Sequence, residues 1–216
     1  MRKEKPVTGE HYHLYNRGVD KREIFMDKDD LKRFLQSMNE FNTVETIGSI
    51  YEKVYYQNEN IEVELSKLVN FISYCLNPNH FHFVIEQIVD NGISRFMQKL
   101  SCGYTNYFNE KYKRSGSLFQ GPFKAKHVSS NDYLLHVSAY VNLNNEVHGF
   151  GSLAPKDKIR SSWDEYMTGK TNFCKKDIVL DQFKTTKDYE VFARDALDLM
   201  IEKKKSDKEI QGMLLE

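Results

Sequence analysis

The chain comprises 216 residues with 31 basic and 31 acidic side chains, and is 40% apolar, 13% aromatic and 29% charged. That length suits one sizeable domain, or one domain with a helical appendage, and leaves room for a real core. The charge density and the lack of any apolar run of spanning length exclude a membrane protein, and the balanced charge excludes a uniformly basic nucleic-acid coat.

The N-terminus, Met1 to Lys5, is charged and no apolar signal core follows it, so a cytoplasmic location is expected. His11 to Asn16, H-Y-H-L-Y-N, alternates and predicts a first strand, ended by Arg17-Gly18. Lys28 to Phe41 predicts a helix, with Leu31, Phe34, Leu35, Met38 and Phe41 at helical spacing and Asp27 or Asp29 as its cap. Asn42 to Lys67 is ambiguous: Ile47 to Tyr56 fits a strand or a helix, and Asn58-Glu59-Asn60 a loop. Val69 to Leu76 and His80 to Gln87 predict two strands joined through Asn-Pro-Asn turn chemistry. Asn91-Gly92 breaks the chain, and Ile93 to Tyr112 is helical, with Ile93, Phe96, Met97, Leu100, Tyr104, Tyr107 and Phe108 in one apolar stripe. Ser115-Gly116-Ser117 turns it, Phe123 to Val128 predicts a short strand, and Asn131 to Leu143 a helix capped by Ser130 or Asn131.

This order of strand, helix, strand, strand, helix, strand, helix predicts an α+β fold: a ferredoxin-like split βαβ antiparallel sheet with an added helix. Further on, Asp177 to Phe183 and Asp188 to Ile201 predict helices, and Ile210 to Leu215 a short amphipathic piece after Lys203-Lys204-Lys205. The expected division is a first domain over residues 1–166 and a helical C-terminal extension over 167–216. A packing appendage is the commoner role for such an extension, and an accessory DNA-binding unit is the other reading. Cys75, Cys102 and Cys174 lack metal-ligand spacing and read as reduced.

The stretch Asn77 to Glu86, N-P-N-H-F-H-F-V-I-E, carries the chemistry. With Phe81, Phe83 and Ile85 facing the core, the strand's period of two sends His80, His82, Val84 and Glu86 to the other face, expected here to be exposed. The imidazoles then project side by side about 7 Å apart along the backbone, able to converge on one ion. A lone His-x-His is more often a pair of surface or hydrogen-bonded histidines. On the last helix of the sheet domain, Tyr140 and Asn144 share a face, with His136 one turn earlier, so a tyrosine hydroxyl and an amide oxygen can be presented to the two histidines. Alone, Tyr140 reads as an ordinary helix tyrosine. Tyr133, Tyr104 and Tyr107 are rival nucleophiles, the last two looking structural, and His11 and His13 read as packing or DNA-contacting rather than as a second metal site.

Between Asn91 and His127 seven basic residues, Arg95, Lys99, Lys111, Lys113, Arg114, Lys124 and Lys126, face Glu110 alone. Interleaved with Tyr104, Tyr107, Phe108, Tyr112, Phe119 and Phe123, this is a composition suited to phosphate contact and base stacking. Arg17, Lys111, Arg114, Lys124 and Lys126 are the candidate DNA contacts. The bland alternative is a solvated helix face over buried aromatics.

Taken together, H-Y-H-L-Y-N-R-G at 11–18, I-F at 24–25, Y-C-L-N-P-N-H-F-H-F at 74–83, I-S-R-F-M-Q-K-L at 93–100, Y-T-N-Y-F-N at 104–109, S-L-F-Q-G-P-F-K at 117–124 and Y-V-N-L-N at 140–144 closely resemble the REP-associated tyrosine transposases. These form part of the single-tyrosine branch of the His-hydrophobic-His nuclease superfamily, and the resemblance covers about residues 9 to 166. It implies a metal-dependent single-strand DNA endonuclease and strand transferase acting at imperfect hairpins (REP-like palindromes), with no need for a nucleoside triphosphate, and a homodimer. Carried over by position, His80 and His82 match the metal-binding histidines, Asn144 the third, amide-type ligand and Tyr140 the nucleophile. Two departures stand out. Asn144 is followed by Asn145-Glu146-Val147 rather than by the family's usual Pro-Val, and residues 42–67 read as an insertion.

The implied chemistry has a physical rationale. Making a phenolate at pH 7 costs roughly 4 kcal/mol. A magnesium or manganese ion held by neutral imidazoles and an amide oxygen would polarise the scissile phosphate, and attack by tyrosine would leave a 5′-phosphotyrosine and a free 3′-hydroxyl. Two competing functions come from other classes: a domesticated hairpin-binding protein that no longer cleaves, and a metal hydrolase of small molecules. Intact His80, His82, Tyr140 and Asn144 favour the enzyme over the first. The basic aromatic stretch and the lack of a hydrolytic carboxylate cluster disfavour the second.

Overall fold

A computed structural model describes residues 5–45, 66–149, 158–170 and 173–213. Five antiparallel strands, β1 (His11–Arg17), β2 (Val69–Asn77), β3 (His80–Gln87), β4 (Lys124–His127) and β5 (Arg160–Ser161), form one sheet in the order β4-β1-β3-β2-β5. Helix α1 (Lys28–Glu40) connects β1 to β2, and α2 (Gly92–Lys111) connects β3 to β4. The first four strands thus have the expected ferredoxin-like order, with β3 inserted antiparallel between β1 and β2. The chain continues through α3 (Asn131–Asn142), α4 (Asn144–Val147), β5, α5 (Trp163–Thr168), α6 (Asp177–Leu180) and α7 (Thr186–Met213).

Local chemistry sets the ends of these elements. Asp27 caps α1 by accepting from the backbone N–H groups of Asp29 and Asp30, and Ser130 caps α3 by accepting from Tyr133 N. Asn91 turns the chain at φ 58°, and a Cβ on Gly92 would lie 2.3 Å from the Leu68 carbonyl oxygen, so the start of α2 tolerates no side chain there. Asn42 pins the far end of α1 to β2. Its Oδ1 accepts from Leu68 N and Val69 N, and its Nδ2 donates to Val69 O.

Alternation along the strands builds two interiors. Leu14, Phe71, Phe81, Phe83 and Ile85 pack against α1 and α2 through Phe34, Met38, Phe96, Leu100 and Tyr104. Ile72, Cys75 and Val84, on the reverse face, pack against Leu134, Val137 and Val141 of α3, and Tyr166, Tyr189 and Ala193 belong to the same cluster. The histidine-bearing face of β3 is therefore covered, not exposed as the alternation alone suggested. Its apolar members and the apolar side of α3 bury one another, and His82 is left only 8% accessible.

The short elements β5, α4 and α5 carry too few residues to show a period and were not anticipated. Residues 210–213, expected to begin a separate short piece, continue α7. The readings of Ile47 to Tyr56 and of Asn58-Glu59-Asn60, and the end of the piece at Leu215, lie outside the described residues. No helix among the described residues is long and apolar enough to cross a membrane.

Beneath the first interior, Lys111 Nζ donates to both carboxylate oxygens of Asp27, at 2.9 and 2.8 Å, and to Asp30 at 2.7 Å. The hydrogen bond from Lys111 is the largest of the influences that lower the Asp27 pKa from 3.8 to about 2. A depressed carboxylate contributes stability above its unfolded pKa and loses it as pH falls through the folded one. Chemical denaturation between pH 5 and pH 2 is expected to show a stability loss in this window. Asp27→Asn keeps a capping side chain but should lose most of that pH dependence.

Candidate active site on the covered face of the sheet

In β1, His13 and Tyr15 share a face with His82, because Tyr15 lies opposite His82 and His13 opposite Val84 in the antiparallel register. The Tyr15 ring stacks on His82 at 5.6 Å, and His13 Nε2 lies 2.9 Å from His82 Nδ1. From above, α3 brings the Tyr140 ring edge-on to both imidazoles, at 5.5 Å from His82 and 5.9 Å from His13. His80 and His82, two residues apart on β3, hold their rings 5.3 Å apart and nearly perpendicular.

Asn144 closes the site from the other end. The helix breaks at Leu143 (φ −108°, ψ 14°), and Asn144 starts α4 fully buried. Its Oδ1 accepts from Asn77 Nδ2 at 2.8 Å and lies 3.1 Å from His80 Nε2. The missing proline thus leaves Asn144 in a defined place, held through Asn77 at the end of β2.

The hydrogen-bond directions around His80 can be worked out. Asn79 Nδ2 donates to Lys21 O, so Asn79 Oδ1 is the acceptor facing His80 Nδ1 at 2.6 Å, and Nδ1 carries the proton. His80 Nε2 is then a lone pair. It accepts from Asn77 Nδ2 at 3.0 Å and stands 3.1 Å from a second acceptor, Asn144 Oδ1. Both lone pairs are served by the Asn77 amide group in this structure, and together they form a donor pair that would also suit a cation. The His13 Nε2–His82 Nδ1 contact fits either tautomer; with Nδ1–H of His82 as the donor, its Nε2 would be available in the same way, an orienting bond of the kind metal-ligating histidines make. Among the described residues no group of three or more His, Cys, Asp or Glu side chains is arranged to hold a metal, and the Asn144 amide oxygen is the oxygen donor that lies beside His80 Nε2.

The electrostatics agree with neutral ligands. Burial, reinforced by Lys126, lowers the His13 pKa to about 4. Burial, with His13, His80 and His148 nearby, holds His82 well below the ordinary imidazole value. Tyr140 is raised, chiefly by burial. The nearby Asn144 amide opposes that rise by favouring the phenolate, and among the described residues its Nδ2 is a buried donor with no hydrogen-bond partner in the resting fold.

An open pocket of about 490 Å³ leads to Tyr140 and is lined by His13, Tyr15, His82, Lys126, Tyr133, His136, Val137 and Met200. The structure thus brings His80, His82, Tyr140 and Asn144 together. Of the basic candidates, Lys124 and Lys126 lie on this face of β4, opposite Tyr15 and His13, with ammonium groups 5.8 Å over the Tyr15 ring and 4.8 Å over the Tyr133 ring. Arg17 is opposite His80 at the strand end and donates to Gln120. Lys111 sits beyond the other interior in the Asp27–Asp30 cluster, and Arg114 is bonded to Asn109 and Ser117 O. Glu86 accepts from Asn70, while His136 lines the pocket beside Phe192.

Sequence reasoning missed the part played by His13 and by Asn77. The second His-x-His pair was a visible signal for the first, since strand pairing brings such motifs side by side. Asn77 appeared only as a turn residue.

The profile of a family described as IS200-like transposase matches residues 7–144. A solved structure described as a REP-associated tyrosine transposase bound to a REP hairpin superposes with a TM-score of 0.54 at 11% identity, covering 80% of this chain and 88% of that one. No curated protein matches the chain.

Tyrosine ionisation followed by NMR of ring-labelled protein, assigned by loss of one signal in Tyr140→Phe, is expected to place Tyr140 above the ordinary value of 10.0. Asn144→Ala removes the amide that opposes the rise and should move it further up.

Proposed function

This chain belongs to the IS200-like transposase family, and from that premise we propose that it cleaves and rejoins single-stranded DNA beside a hairpin, with Tyr140 as nucleophile. The observation that carries the reading is the convergence of His80 Nε2 and Asn144 Oδ1 at 3.1 Å, on the face that Tyr140 overhangs.

In this mechanism the Tyr140 oxygen bonds to the scissile phosphorus as the bond to the 3′-oxygen breaks. The phenol loses its proton and the departing 3′-oxygen gains one, giving a 5′-phosphotyrosine and a free 3′-hydroxyl. The ester conserves the bond, so a 3′-hydroxyl of a new partner can reverse the step without a nucleoside triphosphate. Magnesium or manganese bound by His80, His82 and Asn144 would polarise the phosphate and offset its growing charge. Asn144 Nδ2, the buried donor without a partner, stabilises the phenolate oxygen. His13 holds His82 in the tautomer whose Nε2 can serve as ligand. Lys124, Lys126 and Arg17 contact the phosphates leading to the pocket, and Tyr15 and Tyr133 lie beside the two lysines, where bases can stack.

Incubation with labelled single-stranded DNA carrying the palindromes that flank the gene should give a covalent protein–DNA adduct that depends on manganese and disappears in Tyr140→Phe. His80→Ala and His82→Ala should slow it by about 10²-fold or more. Hairpin binding with no adduct in any metal would favour the non-cleaving binder instead.

Lys126→Ala is expected to weaken DNA binding with little regard to sequence and to reduce the slope of log affinity against log salt by about 1. Lys111→Ala, removed from the pocket, should leave that slope unchanged, as titrations at several salt concentrations will show.

A further inference from the structure

The family match ends at residue 144, yet the helix that carries Tyr140 is held from behind by residues beyond it. Helix α3 has only twelve residues, too few to fix its own orientation in water, so packing decides where Tyr140 points. Positions two before and two after Tyr140, at roughly 100° per residue, lie on the opposite side of the helix. Those positions are Ser138 and Asn142, both fully buried, and both bond to the hydroxyl of Tyr189 in α7, at 3.2 and 2.9 Å.

From there the bonds run on into the sheet. Asn142 Oδ1 accepts from Ser162 Oγ at 2.5 Å, and Ser162 Oγ accepts from Tyr74 N of β2 at 2.9 Å. A second point of attachment lies one turn further along. Arg194 of α7 pairs at 2.6 Å with Glu146, two residues past Asn144 in α4, and lies 5.0 Å over the Trp163 ring. Met200, two turns on, lines the pocket of Tyr140.

We propose that the C-terminal helix is a working part of the cleavage site, in which Tyr189 is a positioning residue that, with Arg194, sets the angle of Tyr140 over His13 and His82 of the same chain. The proposal rests on Tyr140 being the nucleophile. Loss of the Tyr189 hydroxyl leaves Ser138 and Asn142 free to re-pair, and α3 can then rotate or slide. DNA affinity, set by the face of β1 and β4, is not involved.

The test uses full-length wild type, Tyr189→Phe and Arg194→Gln, each shown to be folded by circular dichroism. Two readouts are taken: single-turnover adduct formation against DNA concentration, and the ¹⁹F spectrum of 3-fluorotyrosine placed at position 140. In Tyr189→Phe the rate at saturating DNA should fall by about tenfold or more, with the half-saturating concentration within about twofold of wild type, and the ¹⁹F resonance should shift or broaden. Arg194→Gln should move both readouts in the same direction by less. Because Arg194 is partly exposed, it carries the test if Tyr189→Phe fails to fold. Unchanged rate and resonance in the folded variants overturn the proposal, as does a loss confined to DNA affinity. If wild type forms no adduct, the nuclease reading fails, while a shifted resonance still upholds the positioning role.

Discussion

A strand in the middle of a sheet with helices on both faces has no solvent side, so its alternate residues must satisfy two separate interiors. Strand β3 meets that demand with Phe81, Phe83 and Ile85 on one face and His80, His82 and Val84 on the other. A one-residue slip would exchange the two sets, placing imidazoles among the phenylalanines that pack on Phe34. The register is fixed by ladders on both sides, to β1 and to β2. The same ladders deliver His13 and Tyr15 beside His82, and Asn77 beside His80. The site is therefore a consequence of strand pairing before it is a matter of side-chain placement.

Burial of this face has an electrostatic effect. Imidazoles removed from water resist protonation, and the depressed pKa values of His13 and His82 leave both neutral across the physiological range. The same burial raises the phenol of Tyr140, which opposes nucleophilic attack. One environment thus suits neutral imidazoles and hinders ionisation of the phenol. In the proposed reaction a cation at the imidazoles and a donor at the phenol would resolve the conflict, and Asn144 lies beside both His80 and Tyr140.

Much of this was legible in the chain because the long elements obey strong periods. The alternation of β3, the stripe of α2 and the caps Asp27 and Ser130 each have a local cause, so the sequence carries them. The spacing of Tyr140 and Asn144 was readable as one helical face, although the break at Leu143 was not. What local pattern cannot supply is tertiary pairing. The covered state of the histidine face, the contact of His13 with His82 and the hold of Asn77 on Asn144 each join residues distant in sequence, the last two 69 and 67 positions apart. The basic excess of residues 91–127 was real in composition but scattered in space. Lys99, Lys111 and Arg114 bond within the chain, and only the period of β4 puts Lys124 and Lys126 on the site.

The choice of an amide at position 144 follows from those constraints. A carboxylate there would bring a negative charge into a fully buried position beside Tyr140, and its repulsion would raise the phenol further. An imidazole would offer one lone pair but, with its other nitrogen, only one direction of donation. Asparagine separates the two tasks on one rigid group, with Oδ1 directed to His80 and Asn77 and Nδ2, among the described residues, without a hydrogen-bond partner beside the phenol. An unpaired buried donor costs on the order of 1–3 kcal/mol in a resting fold, and in the proposed reaction the phenolate oxygen of Tyr140 would supply its partner.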